Sequence, residues 1–122
     1  MEKQELPWTI EFFTNDSGRS PVEKFIDSLP DDQQVKIEKY LSLLEEFGVW
    51  IDRSHAKPLE GHKPLWELTP FPNRVLYFMY EGRRIIVLSA FKKSKLKRQR
   101  KDIVVAEDRR QKFLENENDK KH

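Results

Sequence analysis

At 122 residues the chain is about one domain long and can bury a single modest core, which excludes a two-domain machine. It has no cysteine, so disulfides and thiolate metal ligands are excluded, and no run approaches the roughly 18 apolar residues of a membrane span. The 23 basic and 21 acidic side chains give a net charge of +2, and that small sum hides a split: residues 1–91 hold 11 basic and 15 acidic groups, a net of −4, whereas residues 92–112 hold 10 basic and 3 acidic, a net of +7. The polar start Met1 to Glu5 is followed by no signal-like apolar stretch, and the expectation is one soluble, cytoplasmic domain over residues 1–122.

In chain order, Trp8 to Phe13 is rich in β-branched and aromatic residues, with Trp8, Ile10 and Phe12 on one side, and reads as a strand ending at the turn Asn15-Asp16-Ser17-Gly18. Ser20-Pro21-Val22-Glu23 supplies a cap hydroxyl, a proline at the first helical position and a glutamate three residues after the cap. The short helix it opens carries Val22, Phe25, Ile26 and Leu29 at helical spacing and is closed by Pro30. Asp31 with Gln34 repeats the capping pattern ahead of a longer helix whose buried stripe is Ile37, Tyr40, Leu41, Leu44 and Phe47, stopped by Gly48. The two helices predict an antiparallel hairpin laid on a sheet.

Residues 49–64 show neither period and read as a loop. Leu65 to Thr69, Arg74 to Tyr80 and Arg84 to Phe91 predict an antiparallel meander, its last two strands joined at Glu81-Gly82-Arg83. Along the middle strand both alternating sets are apolar except at Arg74, so that strand is expected to be central. A last helix over about Gln99 to Leu114 has only a thin apolar stripe, Ile103, Ala106, the Arg110 stem and Phe113 or Leu114, and is expected to be mostly solvated. The polar tail from about residue 115 is expected to fray.

The split in charge centres on Phe91 to Lys101, FKKSKLKRQRK, which sets seven basic residues in the ten positions after Phe91, directly behind an apolar strand. A field of that strength at a strand end attracts polyanions and stabilises phosphate charge. The alternative is a solvated basic face on a surface helix.

Taken together, Gly18-x-x-Pro21-Val22-x-x-Phe25-x-x-x-Leu29-Pro30, Lys57-Pro58-Leu59, Leu65-Trp66-Glu67-Leu68, Arg74-Val75-Leu76-Tyr77-Phe78 and Phe91-Lys92-Lys93 resemble the RelE/HigB-like toxins, in the phage-derived branch of the RelE/ParE superfamily. The likeness spans about residues 8–113. It implies a small α+β fold of order β-α-α-β-β-β-α, a twisted antiparallel sheet packed on an N-terminal helical hairpin. It also implies the toxin of a type II toxin-antitoxin system, an endoribonuclease that cuts messenger RNA on the ribosome. The partners implied are a cognate antitoxin, messenger RNA and the ribosome; no membrane or cofactor is expected, and His55 and His62, seven apart with no matched carboxylate, are no metal signature.

Metal-free RNA cleavage needs a base for the 2′-hydroxyl, cations for the charge developing on phosphate and an acid for the 5′-oxygen. The positions matching the family's cationic residues are Lys57, Arg74 and Lys92 or Lys93. Lys57 is assigned proton transfer, a role favoured where neighbouring cations disfavour the charged amine, and Arg74 and Lys93 are assigned as phosphate clamps. The structural alternatives are a surface lysine at 57 and an Arg74–Glu67 ion pair. Lys92, Lys95, Lys97, Arg98, Arg100 and Lys101 would hold RNA backbone without reading sequence. Many relatives have a tyrosine or histidine after the basic strand end; here no tyrosine follows Tyr80, and the one later histidine is His122. His55 and above all His62 stand near Lys57 in sequence to supply a titrating group. Trp66 and Phe91, and Phe71 in its proline-flanked turn, are the aromatics available for base stacking, with core packing as the alternative. Two rival functions remain open: a ParE-like DNA gyrase inhibitor and a non-catalytic RNA-binding relative.

Overall fold

The computed structural model describes residues 6–94 and 96–121, the side chains of residues 96–98 excepted. These residues form β1 (Thr9–Phe12), α1 (Pro21–Asp27), α2 (Asp31–Phe47), a single 3₁₀ turn (Gly48–Trp50), β2 (Ala56–Pro58), β3 (Trp66–Leu68), β4 (Asn73–Tyr80), β5 (Arg84–Lys92) and α3 (Leu96–Lys120). The α+β class, the helical hairpin and the β3–β4–β5 meander are as expected.

Local chemistry sets the first helix. Ser20 caps α1 through its hydroxyl, which accepts from the Glu23 amide at 3.1 Å, with Pro21 as first helical residue. At α2 the expected Asp31 cap is replaced: Pro30 holds the cap position with no side-chain bond, and Asp31 and Asp32 lie inside the first turn, where carboxylates oppose the positive end of the helix dipole. Gln34 turns back to donate to the Leu29 carbonyl at 2.9 Å, tying the hairpin together. Gly48 ends α2 at φ +53°, and a Cβ there would come within 2.0 Å of the Trp8 indole. Glycine therefore serves both the left-handed conformation and the close approach of Trp8.

The sheet runs β1-β5-β4-β3-β2 and is mixed. β1 pairs parallel to β5, Ile10 beside Ile85 and Phe12 beside Val87, while the other pairings are antiparallel. The expectation of a wholly antiparallel sheet is corrected at this one strand, because a strand's own residues do not encode its neighbour's direction. β2 arises inside the expected loop, three residues too short to show a period, with Ala56 buried opposite Leu68.

Each face of the sheet has its own core. Val22, Ile26, Ile37 and Leu44 of the hairpin cover Val75, Tyr77, Ile85 and Val87 on one face. Ile103 and Ala106 of α3, with Phe113 and Leu114 beside them, cover Leu76, Phe78, Ile86, Leu88 and Phe91 on the other. The two apolar faces of β4 follow from this sandwiching: α3 covers the second face through the thin stripe expected of it, while most of its other described side chains stay exposed or half-buried. Between β4 and β5, Leu76 pairs with Ser89 but Tyr77 with Val87, leaving Leu88 as an extra residue. Arg109 of α3 donates to the Leu88 carbonyl at 2.9 Å, so α3 also satisfies the bulge.

α3 does not stop near Leu114. It continues to Lys120, its end held by a polar cluster: Arg84 Nε and Nη2 meet the two Glu11 carboxylate oxygens at 2.6 and 2.9 Å, and Nη1 meets Glu117 at 2.9 Å. Lys121 adds a contact to Glu81 at 3.0 Å. Composition alone suggests fraying because these partners lie far away in sequence.

Candidate nucleic-acid interface

Register decides which charged residues meet. Residues directly opposed on neighbouring strands share a face and alternate residues change it. Lys57 on β2 opposes Glu67 on β3, which opposes Leu76 on β4; Arg74 on β4 opposes Phe91 on β5. Leu76 and Phe91 belong to the core beneath α3, so Lys57, Glu67 and Arg74 share that face, while Ala56, Trp66, Leu68, Val75 and Tyr77 face the hairpin.

Glu67 lies on the strand between the two cations. Arg74 Nε stands 3.4 Å from Glu67 Oε2, with the side chains only 14% and 5% exposed. Arg74 Nη1 also donates to the Asn73 carbonyl at 2.9 Å. The structural alternative for Arg74, an ion pair with Glu67, is thus realised, and the same contacts fix its guanidinium in place. Lys57 is exposed on the short edge strand β2. Two cations flanking one buried carboxylate leave a local excess of positive charge, held on strands rather than loops.

The basic end of the sheet adjoins this row. Lys92 opposes Asn73 and, alternating with Phe91, points to the hairpin face; Asn73 there donates to Gln33 of α2 at 3.1 Å. Lys93 follows the strand, exposed, its amide donating to the Pro72 carbonyl at 2.8 Å. α3 begins immediately afterward, so Arg100 and Lys101, both exposed in its early turns, belong to the same end of the molecule. Lys95 lies outside the described residues, as do the side chains of Lys97 and Arg98.

The histidines and aromatics divide between the faces. His62 Nδ1 is 3.1 Å from Glu107 Oε2, which fastens the loop before β3 to α3 on the Lys57–Arg74 side. His55 sets its ring edge against Tyr40 of α2, centroids 4.8 Å apart. Trp66 is committed to the hairpin side, stacked on Tyr77 at 6.2 Å with the Arg53 guanidinium 5.0 Å from its ring. Phe91 is buried in the core beneath α3. Core packing, the alternative for both rings, is what they make here: Phe91 is buried beneath α3, and Trp66, half-buried, faces the hairpin rather than Lys57 and Arg74. Phe71 alone of the three is open, 66% exposed. Glu67 was legible only as a possible partner of Arg74; the signal for a more central place was a carboxylate between Trp66 and Leu68 in an otherwise apolar strand.

The cavity of about 500 Å³ lined by Phe13, Asn15, Pro21, Val104 and Arg109 lies between α3 and the β1 edge, away from this row. Burial pushes the Arg109 guanidinium down from its usual range, and its bond to Leu88 makes it a structural group. Among the described residues no helix is long and apolar enough to cross a membrane.

Residues 24–111 match the family described as phage-derived protein Gp49-like. No curated protein matches the chain. Among solved structures, the archaeal RelE of the RelE–RelB complex from Pyrococcus horikoshii is similar at a TM-score of 0.57 and 17% identity, over 73% of this chain and 98% of that one. A chain of the toxin-antitoxin complex RelBE2 from Mycobacterium tuberculosis aligns at a TM-score of 0.46 and 13% identity, over 77% of this chain and 100% of that one. The sheet flanked by a helical hairpin and a basic C-terminal helix is thus built on the RelE fold, and the chain belongs to the phage-derived Gp49-like family.

Proposed function

We propose that this protein is the toxin of a type II toxin-antitoxin pair, an endoribonuclease that cleaves messenger RNA on the ribosome and so arrests translation. The observation that carries the reading is the row Lys57, Glu67, Arg74 on one face of the sheet, at the end where Lys93, Arg100 and Lys101 gather.

In this mechanism Lys57 withdraws the proton of a ribose 2′-hydroxyl. The 2′-oxygen attacks the adjacent phosphorus, the bond to the 5′-oxygen breaks, and a 2′,3′-cyclic phosphate and a 5′-hydroxyl result. Arg74, already oriented by Glu67 and the Asn73 carbonyl, stabilises the charge that develops on phosphate without reorganising at the moment of reaction. Lys93 supplies a second cation, and His62, fastened on the same side of the sheet, protonates the leaving oxygen. Lys95, Lys97, Arg98, Arg100 and Lys101 hold RNA backbone, and Lys92, which points to the hairpin face, can meet backbone only where the strand wraps the sheet end.

The Pyrococcus horikoshii relative is bound to RelB, and a cognate antitoxin is the protein partner proposed here. An acidic or amphipathic segment suits it, covering the basic end when the toxin is silent.

Induced expression followed by mapping of messenger RNA 5′ ends tests the reading. New cuts within codons, abolished in Lys57→Ala and Arg74→Ala proteins that remain folded, support it. Uncut messenger RNA accompanied by double-strand DNA breaks transfers the protein to the gyrase-blocking class, and neither effect leaves an RNA-binding relative without turnover.

A further inference from the structure

The described aromatic rings of the sheet and its helices are largely spent on packing. Phe71 is an exception: it is 66% exposed and belongs to neither core. Its backbone, by contrast, is well held. The Phe71 amide donates to the Thr69 carbonyl at 2.9 Å, the Asn73 amide to the Pro70 carbonyl at 2.9 Å, and the Thr69 amide to the His55 carbonyl at 2.9 Å. Pro70 on one side and Asn73 on the other are buried. This is a large apolar ring carried into solvent by a turn that is pinned at both ends.

Its surroundings name the occupant. The Pro72 carbonyl, one residue on, accepts the Lys93 amide at 2.8 Å, which sets the turn against the basic end of β5. Arg74 is three residues away, so its Cα lies within about 11 Å of the Phe71 Cα by the reach of the chain. A single exposed ring with proline as its immediate neighbour on each side, three residues from Arg74 and one from the Pro72–Lys93 contact, is small as a docking patch for a folded protein surface. It offers a single-stranded polyanion both things it needs, cations for the phosphates and a π-face for a base. A ring on a fixed turn also loses little freedom on binding.

We propose that Phe71 is the base-stacking platform of this protein: it receives one unpaired RNA base while Arg74 and Lys93 hold the neighbouring backbone, and so sets which nucleotide is presented for cleavage. This rests on the ribonuclease reading and adds a positioning residue to it. Stacking tolerates every base but favours those with larger rings, so Phe71 contributes affinity and a mild preference rather than a strict code.

The test uses the full chain and a 2′-O-methyl RNA oligonucleotide of mixed sequence, which cannot be cut, both free and bound as message in purified ribosomes. Phe71→Ala and Phe71→Leu should each weaken binding roughly 5- to 150-fold, the second because it keeps apolar bulk but lacks the ring, while Phe71→Trp should match or exceed the parent. The thermal midpoint should hold in all three, and the dependence of binding on salt should keep its slope in Phe71→Ala yet flatten in Lys93→Ala, since only the lysine contacts phosphate. Equal binding by parent, Phe71→Ala and Phe71→Leu overturns the platform and leaves the ribonuclease reading intact. A parent that binds RNA in neither setting overturns both. Loss of affinity for the antitoxin with RNA binding unchanged also overturns the proposal, by making Phe71 a protein-docking residue.

Discussion

Glu67→Ala is the perturbation that best tests the charged row. It removes the carboxylate that faces Arg74 at 3.4 Å, where the two side chains are 5% and 14% exposed. Breaking a buried pair by deleting one partner costs about 3–5 kcal/mol. The contact here is long for an ion pair, and Arg74 keeps its bond to the Asn73 carbonyl, so about 2–3 kcal/mol is expected, or roughly 8–12 °C in Tm for a domain of this size. Arg74→Met should cost less, because Glu67 then still opposes Lys57 across β2–β3. The paired change Glu67→Leu with Arg74→Met leaves no buried charge unpartnered, Lys57 being exposed, and should return to within about 1 kcal/mol of the parent while abolishing RNA cleavage. Calorimetry or chemical denaturation gives the stabilities, and end mapping gives the cleavage. The reasoning fails if Glu67→Ala shifts stability by less than about 0.5 kcal/mol, the scale of an ordinary surface substitution. It fails equally if the double variant is as unstable as the two single changes combined.

Other outcomes follow from the same geometry. Gly48→Ala should destabilise the fold by about 1–3 kcal/mol in denaturant titration, since a left-handed conformation and the Trp8 indole both oppose a Cβ. The hydrogen bond from Arg84 holds the Glu117 carboxyl below its usual range. A depressed folded value means that the stabilisation is complete above the unfolded carboxylate range and is lost as pH falls through the folded value. Amide-exchange protection at the end of α3 should therefore be flat near neutrality and decline below about pH 4. Arg84→Gln should lower protection there even at pH 7. Replacing Arg100 and Lys101 with glutamate should weaken RNA binding and flatten its salt dependence, measured by titration at several salt concentrations, without lowering Tm.

Much of the architecture was legible because it is written in local patterns. The Ser20-Pro21 helix start, the Gly48 stop and the doubly apolar β4 are short-range statements, and the structure carries them out. The helix at the end was harder. Its apolar stripe could be read from Ile103 and Ala106, but its extension to Lys120 depends on Arg84 joining Glu11 to Glu117 across most of the chain. The site divides in the same way. Residue type singled out the cations, whereas the sorting of Trp66 and Phe91 into cores and of Phe71 into solvent depended on which face each strand position took.

Composition and periodicity by themselves determined an α+β chain with its positive charge gathered behind the last strand, because helix caps, strand alternation and charge runs act over a few residues. The tertiary structure alone decided that β1 runs parallel to β5, that Lys57, Glu67 and Arg74 share a face, and that His62 reaches Glu107. Those outcomes depend on strand register and on how α3 lies across the sheet. In a pleated sheet a shift of one residue would send each of these side chains to the opposite face.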